Sequence, residues 1–383
     1  MYFFLFLALS AVVPYLTLYL SDVAQLSGSQ IGVVLSVGPV IGLFATPFWT
    51  GLADASKRHA FIYACAIGSA VLLYALVPFV GSFVVLLAIF TALAFFGSHL
   101  LPMQDSATMH MLGNFKDRYG QVRFWGTVGW GLGGLLFGWL FDFTGLVWMF
   151  WICSGFLAIA LSLAGRMQFD QAQSQSVSFF KNLRELISKA PIQLFLLATV
   201  LAATGLSTHN NYLSLLLNEL SGPDATVFGW SLPVARLIGI VVVIGVVSEL
   251  PVMFHSERLL ARLGTRGLVI ISLLIIAGRN LLYALSDEIW PILLVQALHG
   301  LTYALLWVGG VSFMARHAPK GLSSTAQGLF STAQVGVGYA AGNLFGGVLM
   351  DTAGLQGMFA ISGLVVLAGF GLLMLLDRRY HIF

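Results

Sequence analysis

Several ionisable side chains lie inside long apolar stretches of this chain. Asp105 lies in one such stretch, Arg123 opens the next, and Trp130 follows two helical turns later. An ionisable residue within an apolar span is by default a functional candidate. We predict that Asp105 and Arg123 are partners and that, with Trp130, they bind a ligand, because arginine can grip a hydroxyl pair or a carboxylate and an indole can stack. A purely structural clamp is the alternative.

A second group of ionisable residues lies later in the chain. Glu249, Arg279 and His299 belong to three consecutive apolar stretches. Each lies roughly ten to thirteen residues from the end of its stretch, which at a rise of 1.5 Å per residue is about the midplane of a membrane. Three ionisable groups at one depth predict a common polar site, and a static packing network is the alternative.

Further candidates lie on neighbouring stretches. His209 and Asn211 belong to the segment STHNNY, where they could line a cavity or form a polar collar near the outer surface. Tyr303 and Trp307, four residues apart, share one helix face. We include Tyr303 among the binding candidates and expect Trp307 to pack in the core.

The amino-acid composition predicts which kind of secondary structure holds these residues. The chain has 383 residues, of which 58% are hydrophobic and 9% charged, whereas a soluble domain has about 25% charged residues. We therefore predict an all-α membrane protein whose helices each cross the bilayer. Twelve apolar segments are long enough, at about 2–20, 31–52, 60–80, 83–110, 121–141, 145–165, 191–218, 237–254, 267–285, 289–314, 325–350 and 355–376.

The loops between these segments predict the orientation. Sixteen of the 18 lysines and arginines fall on one side of the alternating segments, and only Arg236 and Arg279 do not. By the positive-inside rule, that side is cytoplasmic. We expect a multi-pass protein of the inner or plasma membrane with both termini in the cytoplasm.

The chain divides into two similar halves. Residues 129–145 align without gaps to residues 338–354 at an offset of 209, with seven identities that include Asp142 with Asp351 and Gly145 with Gly354. Residues 166–190 form the only long polar stretch of the sequence, and they lie between the halves. We predict an N-terminal six-helix half at 1–168, a cytoplasmic central loop at 169–190 and a C-terminal six-helix half at 191–383.

Local motifs resemble those of the major facilitator superfamily. The segment GLADASKR (51–58) is similar to the loop motif between spans 2 and 3 of major facilitators, although it lacks the second glycine. The segment YGQVRFWGTVGW (119–130) resembles the start of span 5 in the lactose permease and the phenylpropionate transporters, and QALHG (296–300) resembles the phenylpropionate branch. The resemblance implies two six-helix pseudo-symmetric halves with the substrate bound near the midplane.

The resemblance also implies roles for individual residues. Asp105, Arg123 and Trp130 stand where the lactose permease has its sugar-site acid, the partner arginine and the stacking indole. Glu249, Arg279 and His299 match its acid, arginine and histidine in spans 8, 9 and 10. Gln296 and Thr302 depart from that pattern, since they replace a lysine and the acid that carries the coupled proton. Asp54, Lys57 and Arg58 match the loop motif and are predicted to act in gating.

Together these patterns predict a transporter and not an enzyme, because no catalytic motif appears in the sequence. We expect a proton-coupled symporter that imports a small organic solute by alternating access, with Glu249 as the coupling acid and Arg279 and His299 as its exchange partners. A sugar, a nucleoside and an aromatic acid all fit. An uncoupled facilitator or an exporter is the alternative. We expect a monomer in a lipid bilayer that binds the solute and protons, with no cofactor, metal or nucleic acid.

Overall fold

The computed structural model describes residues 1–169, 188–221, 226–227, 230–318 and 323–380. Helices form most of this part of the chain, as the apolar segments predict. The basic loop residues Lys181, Arg184 and Lys320, which contribute to the predicted orientation, lie outside the described residues.

The first half contains spans 1 to 6. Their bounds are Tyr2–Val12 and Leu16–Leu18 with a π-helical turn at Tyr19–Val23 (span 1), Gly28–Ser56 (span 2), His59–Leu76 with a 3-10 turn at Val77–Phe79 (span 3), Phe83–Gly97 and Leu100–Leu112 (span 4), a 3-10 turn at Lys116–Arg118 with Tyr119–Thr144 (span 5), and Trp148–Ala164 (span 6). Pro14 lies where the α-helix of span 1 is interrupted, as expected for a residue without a backbone N–H.

The second half contains spans 7 to 12. Their bounds are Ala190–Leu220 (span 7), Val234–Phe254 (span 8), Ser256–Ala284 (span 9), Ile289–Gln296 with a 3-10 turn at His299–Leu301 and Tyr303–His317 (span 10), and Ser323–Ser331, a π-helical segment at Thr332–Gly338 and Tyr339–Tyr380 (spans 11 and 12). Between spans 7 and 8, the short strands Thr226–Val227 and Trp230–Ser231 pair antiparallel.

Glycines in the left-handed region end matching helices in the two halves. Gly354 has a φ of 72° and separates span 11 from span 12, and Gly145, with a φ of 83°, ends span 5. These two glycines are aligned in the sequence repeat. A side chain rarely adopts this conformation, so glycine is favoured at both turns.

The number of spans agrees with the sequence. Within the described ranges, nine helices are long and apolar enough to cross a membrane, and the bent helix pair of span 10 makes a tenth. The 54-residue helical stretch Thr325–Arg378 is divided by Gly354 into two spans, and Trp148–Ala164 is a shorter apolar helix. The predicted all-α membrane fold with twelve helices in two six-helix halves is confirmed.

Span 1 packs directly against the backbone of span 5. A Cβ atom added at Gly129 would lie 2.4 Å from the carbonyl oxygen of Phe3, and one added at Gly133 would lie 1.8 Å from Ser10 Oγ. Small residues are what allow two membrane helices to approach so closely. The start of span 1 is thereby placed beside Arg123.

Span 11 packs in the same way against span 7. Gly338, Gly342 and Gly346, four residues apart, form a ridge on span 11 that we call the glycine ridge. A Cβ atom added to them would lie 2.3 Å from Ala203 Cβ, 2.0 Å from Ser207 Oγ and 2.8 Å from the Tyr212 ring, respectively. Only glycine allows this separation of the two helices.

The described residues pack into two compact units. One contains the residues up to Phe169 together with Leu232–Val243, and the other contains those from Ser188 to Ser231 together with the chain from Ile244 onwards. The outer end of span 8 therefore packs with the first unit, where Arg236 Nη2 lies 2.5 Å from Asp142 Oδ2. The division into halves at 1–168 and 191–383, with a loop at 169–190, stays a prediction.

Candidate functional site

Arg279 of span 9 is a buried cation in the second unit, with 1% of its surface exposed. Its Nη1 atom lies 3.2 Å from His209 Nε2 and 3.4 Å from His299 Nδ1, and it donates to Thr302 Oγ1 at 3.1 Å. Because a guanidinium group only donates, the imidazole nitrogens that face it act as acceptors. Spans 7, 9 and 10 therefore meet around one charge.

The other arm of the same guanidinium has its own partners. Nη2 donates to Gln296 Oε1 at 2.7 Å and to the Tyr283 hydroxyl at 2.9 Å, and that hydroxyl donates to Gln296 Oε1 at 3.0 Å. In the described part of the chain, the hydrogen-bonding partners of Arg279 do not include a carboxylate. A buried charge without a counter-charge is costly, so this arrangement favours an incoming polar or anionic group.

Span 10 is broken beside this cluster. Its segments Ile289–Gln296 and His299–His317 meet at 46°, although the sequence predicts one continuous run. The break places His299 and Gly300 in a short 3-10 turn. Non-helical backbone at membrane depth is tolerated where it is buried in protein or lines a cavity, and such interruptions are typical of binding sites in membrane transporters.

Glu249 lies on the helix that crosses this break. A Cβ atom added at Gly300 would lie 2.7 Å from Glu249 Cα, and the Gly300 N–H donates to Ser248 Oγ at 3.0 Å. One turn earlier, a Cβ atom at Gly245 would lie 3.3 Å from the His299 ring. The structure thus places Glu249 beside the turn that carries His299, while Arg279 contacts His299 directly.

The remaining candidates, on spans 7 and 10, have different surroundings. His209 is buried and belongs to the Arg279 cluster, where its Nδ1 also lies 3.5 Å from Asn280 Nδ2. Asn211 Nδ2 donates to Asn343 Oδ1 of span 11 at 2.7 Å. Tyr303 is half-buried and stacks on Trp307, with ring centroids 5.7 Å apart.

In the first unit, a tyrosine connects the predicted pair of Asp105 and Arg123. The Tyr2 hydroxyl donates to Asp105 Oδ1 in a short hydrogen bond. The Arg123 guanidinium carbon lies 5.3 Å from the centre of the Tyr2 ring and 4.3 Å from that of Phe6. These distances are within the range of cation–π attraction. In the described part of the chain, Asp105 and Arg123 are therefore connected through Tyr2 of span 1.

Trp130 and the loop residues complete the predicted set. Trp130 is half-buried, two turns beyond Arg123 on the same helix face. Asp54 Oδ1 pairs with His59 Nε2 at 2.9 Å. Lys57 has a φ of 55° and ends span 2, and Arg58 is exposed beside it. Binding by Trp130 and gating by the loop residues stay predictions.

Several side chains that contact the candidates were not predicted from the sequence. Among them are Tyr2, Tyr283, Asn280 and Asn343. Tyr283 and Asn280 follow Arg279 by four residues and one residue, so the spacing of Tyr283 on the same helix face was a usable signal. Tyr2 and Asn343 carry no such signal, because their partners are far away in the chain.

Comparisons with known proteins identify relatives along the whole chain. The family described as MFS_1 like family matches residues 1–361. The maltose permease of Geobacillus stearothermophilus is 28% identical, and the alignment covers 99% of this chain and 93% of the relative. The sucrose permease of Escherichia coli is 27% identical over 73% of this chain and 67% of the relative.

Among solved structures, that of the nucleoside transporter NupG has a similar fold. The TM-score is 0.89 with 16% identity, and the match covers 98% of this chain and 97% of the other. At this identity the likeness concerns the fold alone.

Proposed function

The chain belongs to the MFS_1 like family, and from this premise we propose that it is a proton-coupled symporter that imports a small organic solute, with a sugar as the first candidate. The chain is a membrane transporter of the major facilitator type and not an enzyme. The observation that carries the proposal is the buried Arg279, whose guanidinium is held by uncharged acceptors. One of these, His299, belongs to the turn that packs beside Glu249.

The Arg279 cluster has the chemistry that a hydroxyl-rich solute requires. Around one guanidinium it holds an amide, two imidazoles and two hydroxyls, from Gln296, His209, His299, Thr302 and Tyr283. Sugar hydroxyls both donate and accept, so they can replace these mutual hydrogen bonds without leaving a buried polar group unpaired. The two named sugar permeases among the relatives support a sugar, while a nucleoside or an aromatic acid is retained as a test compound.

A second set of binding residues is proposed in the first unit. Arg123, held by Tyr2 and Phe6, can present its donor fork to the solute, and Trp130 can stack on an apolar ring face. Asn211 and Tyr303 are proposed to complete the site in the second unit. Asp54, Lys57 and Arg58 are proposed to act in gating.

Glu249 is proposed as the acid that carries the coupled proton. Thr302, which replaces the permease acid, cannot ionise, and Asp105 already accepts a hydrogen bond from Tyr2. Arg279 and His299 can attract the ionised Glu249 carboxylate in one state of the cycle and release it in another.

The proposed orientation places both termini in the cytoplasm, with the protein in the inner membrane as a monomer.

The experiment begins with a thermal-shift screen of the purified protein with maltose, sucrose, uridine and phenylpropionate. Any compound that stabilises the protein is then offered, radiolabelled, to proteoliposomes with an acidic exterior. We expect accumulation above the external concentration, and we expect a protonophore to abolish it. Uptake that only equilibrates would indicate a facilitator, and efflux driven by the same gradient would indicate an exporter.

The variant Glu249→Gln tests the coupling acid. It should lose accumulation while exchange of labelled for unlabelled solute continues, because exchange needs no net proton movement. Glu257→Gln is the matched control, since Glu257 is exposed at the start of span 9. If Glu249→Gln still concentrates solute, the coupling acid is Asp105 or the coupled ion is not a proton.

A further inference from the structure

A second polar site lies in the second unit, where span 9 begins its long helix and span 10 ends. It is a cavity of about 220 Å³. The residues that line it are Gly264, Thr265, Arg266, Phe313, Arg316 and His317. Transport as proposed above uses none of them.

The backbone at this cavity forms a helix N-terminus. Gly264 has φ 65° and ψ 175°, which breaks span 9, so a new helix runs from Thr265 to Ala284. The first backbone N–H groups of a helix have no partner within the helix, and together with the helix dipole they attract anions. The helix has five turns, so its dipole is fully developed.

A buried hydroxyl group at the same cavity has no partner. Thr265 is 4% exposed, and its Oγ1 atom has no hydrogen-bonding partner in the described part of the chain. A buried hydroxyl without a partner is unfavourable and is therefore uncommon in folded proteins. Thr265 lines the cavity, so a ligand bound there lies against the residue that carries this unpartnered hydroxyl group.

Two arginines and a histidine line the same cavity. Arg266 and Arg316 both line the cavity and are exposed, and His317 lines it with its ring stacked on Phe313. Arg266 Nη2 is paired with Asp377 Oδ2 at 3.0 Å, so one carboxylate neutralises part of this charge. The arginine side chain has further donors, and Arg316 adds a second guanidinium.

We propose that this cavity binds a phosphate group, carried by an anionic membrane lipid or by a soluble phosphate compound. Arginine forks, helix N-terminal amides and a hydroxyl are the groups that proteins use to hold phosphate oxygens. A cluster of basic residues next to a membrane span is also typical of headgroup recognition. Arg316 and the Thr265 hydroxyl are the two side chains on which this site depends.

The first unit has a cavity at the same position of the sequence repeat. It is lined by Lys57, Arg58, His59 and His110, among other residues. In the early part of the repeat the offset is 207, as in the match of Ile31 and Gly32 with Ile238 and Gly239. Adding 207 to these four numbers gives Gly264, Thr265, Arg266 and His317, all of which line the cavity of the second unit. Lys57 also has a positive φ, like Gly264. The cavity is therefore a feature of the repeated unit, but only the second copy has the unpartnered threonine.

The test measures binding to the purified, full-length protein in neutral detergent by calorimetry. The probes are short-chain phosphatidylglycerol, short-chain phosphatidylcholine and inorganic phosphate. The variants are Arg316→Gln and Thr265→Val. Arg262→Gln is the matched control, because Arg262 is exposed nearby and does not line the cavity.

We expect saturable binding that Arg316→Gln weakens at least about tenfold and Thr265→Val several-fold, because hydrogen bonds to charged groups are involved. Arg262→Gln should bind as the wild type does. Binding of phosphatidylglycerol with this dependence identifies a lipid headgroup, and binding of inorganic phosphate with the same dependence identifies a soluble ligand. If neither phosphatidylglycerol nor inorganic phosphate binds, or if Arg316→Gln and Arg262→Gln behave alike, the proposal is wrong. Thr265→Val removes one hydroxyl and so tests the site even if Arg316→Gln does not fold.

Discussion

Replacing Arg279 by lysine should abolish most solute exchange while the protein remains folded. A lysine keeps the positive charge but replaces two separate arms by one ammonium group. The guanidinium contacts three side chains through Nη1 and two through Nη2. An ammonium group can reach one of these two sets and must leave the other.

If the lysine ammonium keeps the three Nη1 partners, the variant loses the smaller set, which is the two Nη2 hydrogen bonds to Gln296 and Tyr283. At about 1.5 kcal/mol for each hydrogen bond to a charged group, the loss is about 3 kcal/mol. If this network organises the binding site, that energy corresponds to a decrease in exchange of about 100-fold. The measurement is exchange of the solute found in the thermal-shift screen, in proteoliposomes without a proton gradient.

A double-mutant cycle with Gln296→Leu tests the geometry. Because Gln296 accepts from both Arg279 and Tyr283, the two substitutions remove a shared interaction, and their combined effect should be smaller than the sum of the separate effects. Arg262→Lys, at an exposed position of the same span, should exchange at the wild-type rate. Wild-type exchange by Arg279→Lys would refute the reasoning, because the fork geometry would then be irrelevant.

Substitutions at three further positions test the other parts of the site. Arg123→Lys should lose most uptake, because an ammonium group lacks the planar fork that stacks on Phe6, and wild-type uptake would exclude direct binding by that fork. Trp130→Phe should keep partial transport while Trp130→Ala weakens solute binding several-fold, as expected for a stack worth about 0.5–1.5 kcal/mol, and equal affinities would assign the indole to packing. Gly300→Ala should reduce both thermal stability and uptake, because its Cβ would lie 2.1 Å from a backbone carbonyl oxygen of span 8, whereas Gly278→Ala, with open space at its Cβ, should be tolerated. A stable and active Gly300→Ala variant would show that the close crossing of spans 8 and 10 is not required.

The sequence was sufficient to predict the spans and part of the Arg279 cluster. Hydropathy and the repeat predict twelve helices, and the depth of Arg279 and His299 predicts that they meet, which they do at 3.4 Å. These inferences depend on the rise per residue of a helix and on hydropathy, which can both be read from a local stretch of sequence. Whether the two residues bind solute or couple protons remains a prediction.

Other features could not be predicted, because they depend on contacts between distant segments. Tyr2 contacts Asp105 across 103 residues of sequence. The break in span 10 occurs within an apolar run without a proline at that point, and it accompanies a close approach of Gly300 to Ser248. Gly300 lies at the break, but glycine is frequent in membrane helices, so the run from residue 289 to residue 314 is predicted as one continuous helix.

The glycine ridge of span 11 has a mechanical consequence. Because Gly338, Gly342 and Gly346 carry no side chains, no rotamer on the ridge must change when span 11 slides along span 7. At the end of these spans that is cytoplasmic in the proposed orientation, the Phe195 ring stacks on two others. Its centroid lies 4.0 Å from that of Phe313 and 6.1 Å from that of Phe330, and the three rings hold spans 7, 10 and 11 together. Movement along the ridge would break the hydrogen bonds that Asn211 and Tyr212 donate to Asn343, but it would displace no side chain of the three glycines. We therefore expect span 11 to shift against span 7 more readily at the ridge, beside the polar cluster, than at the aromatic end.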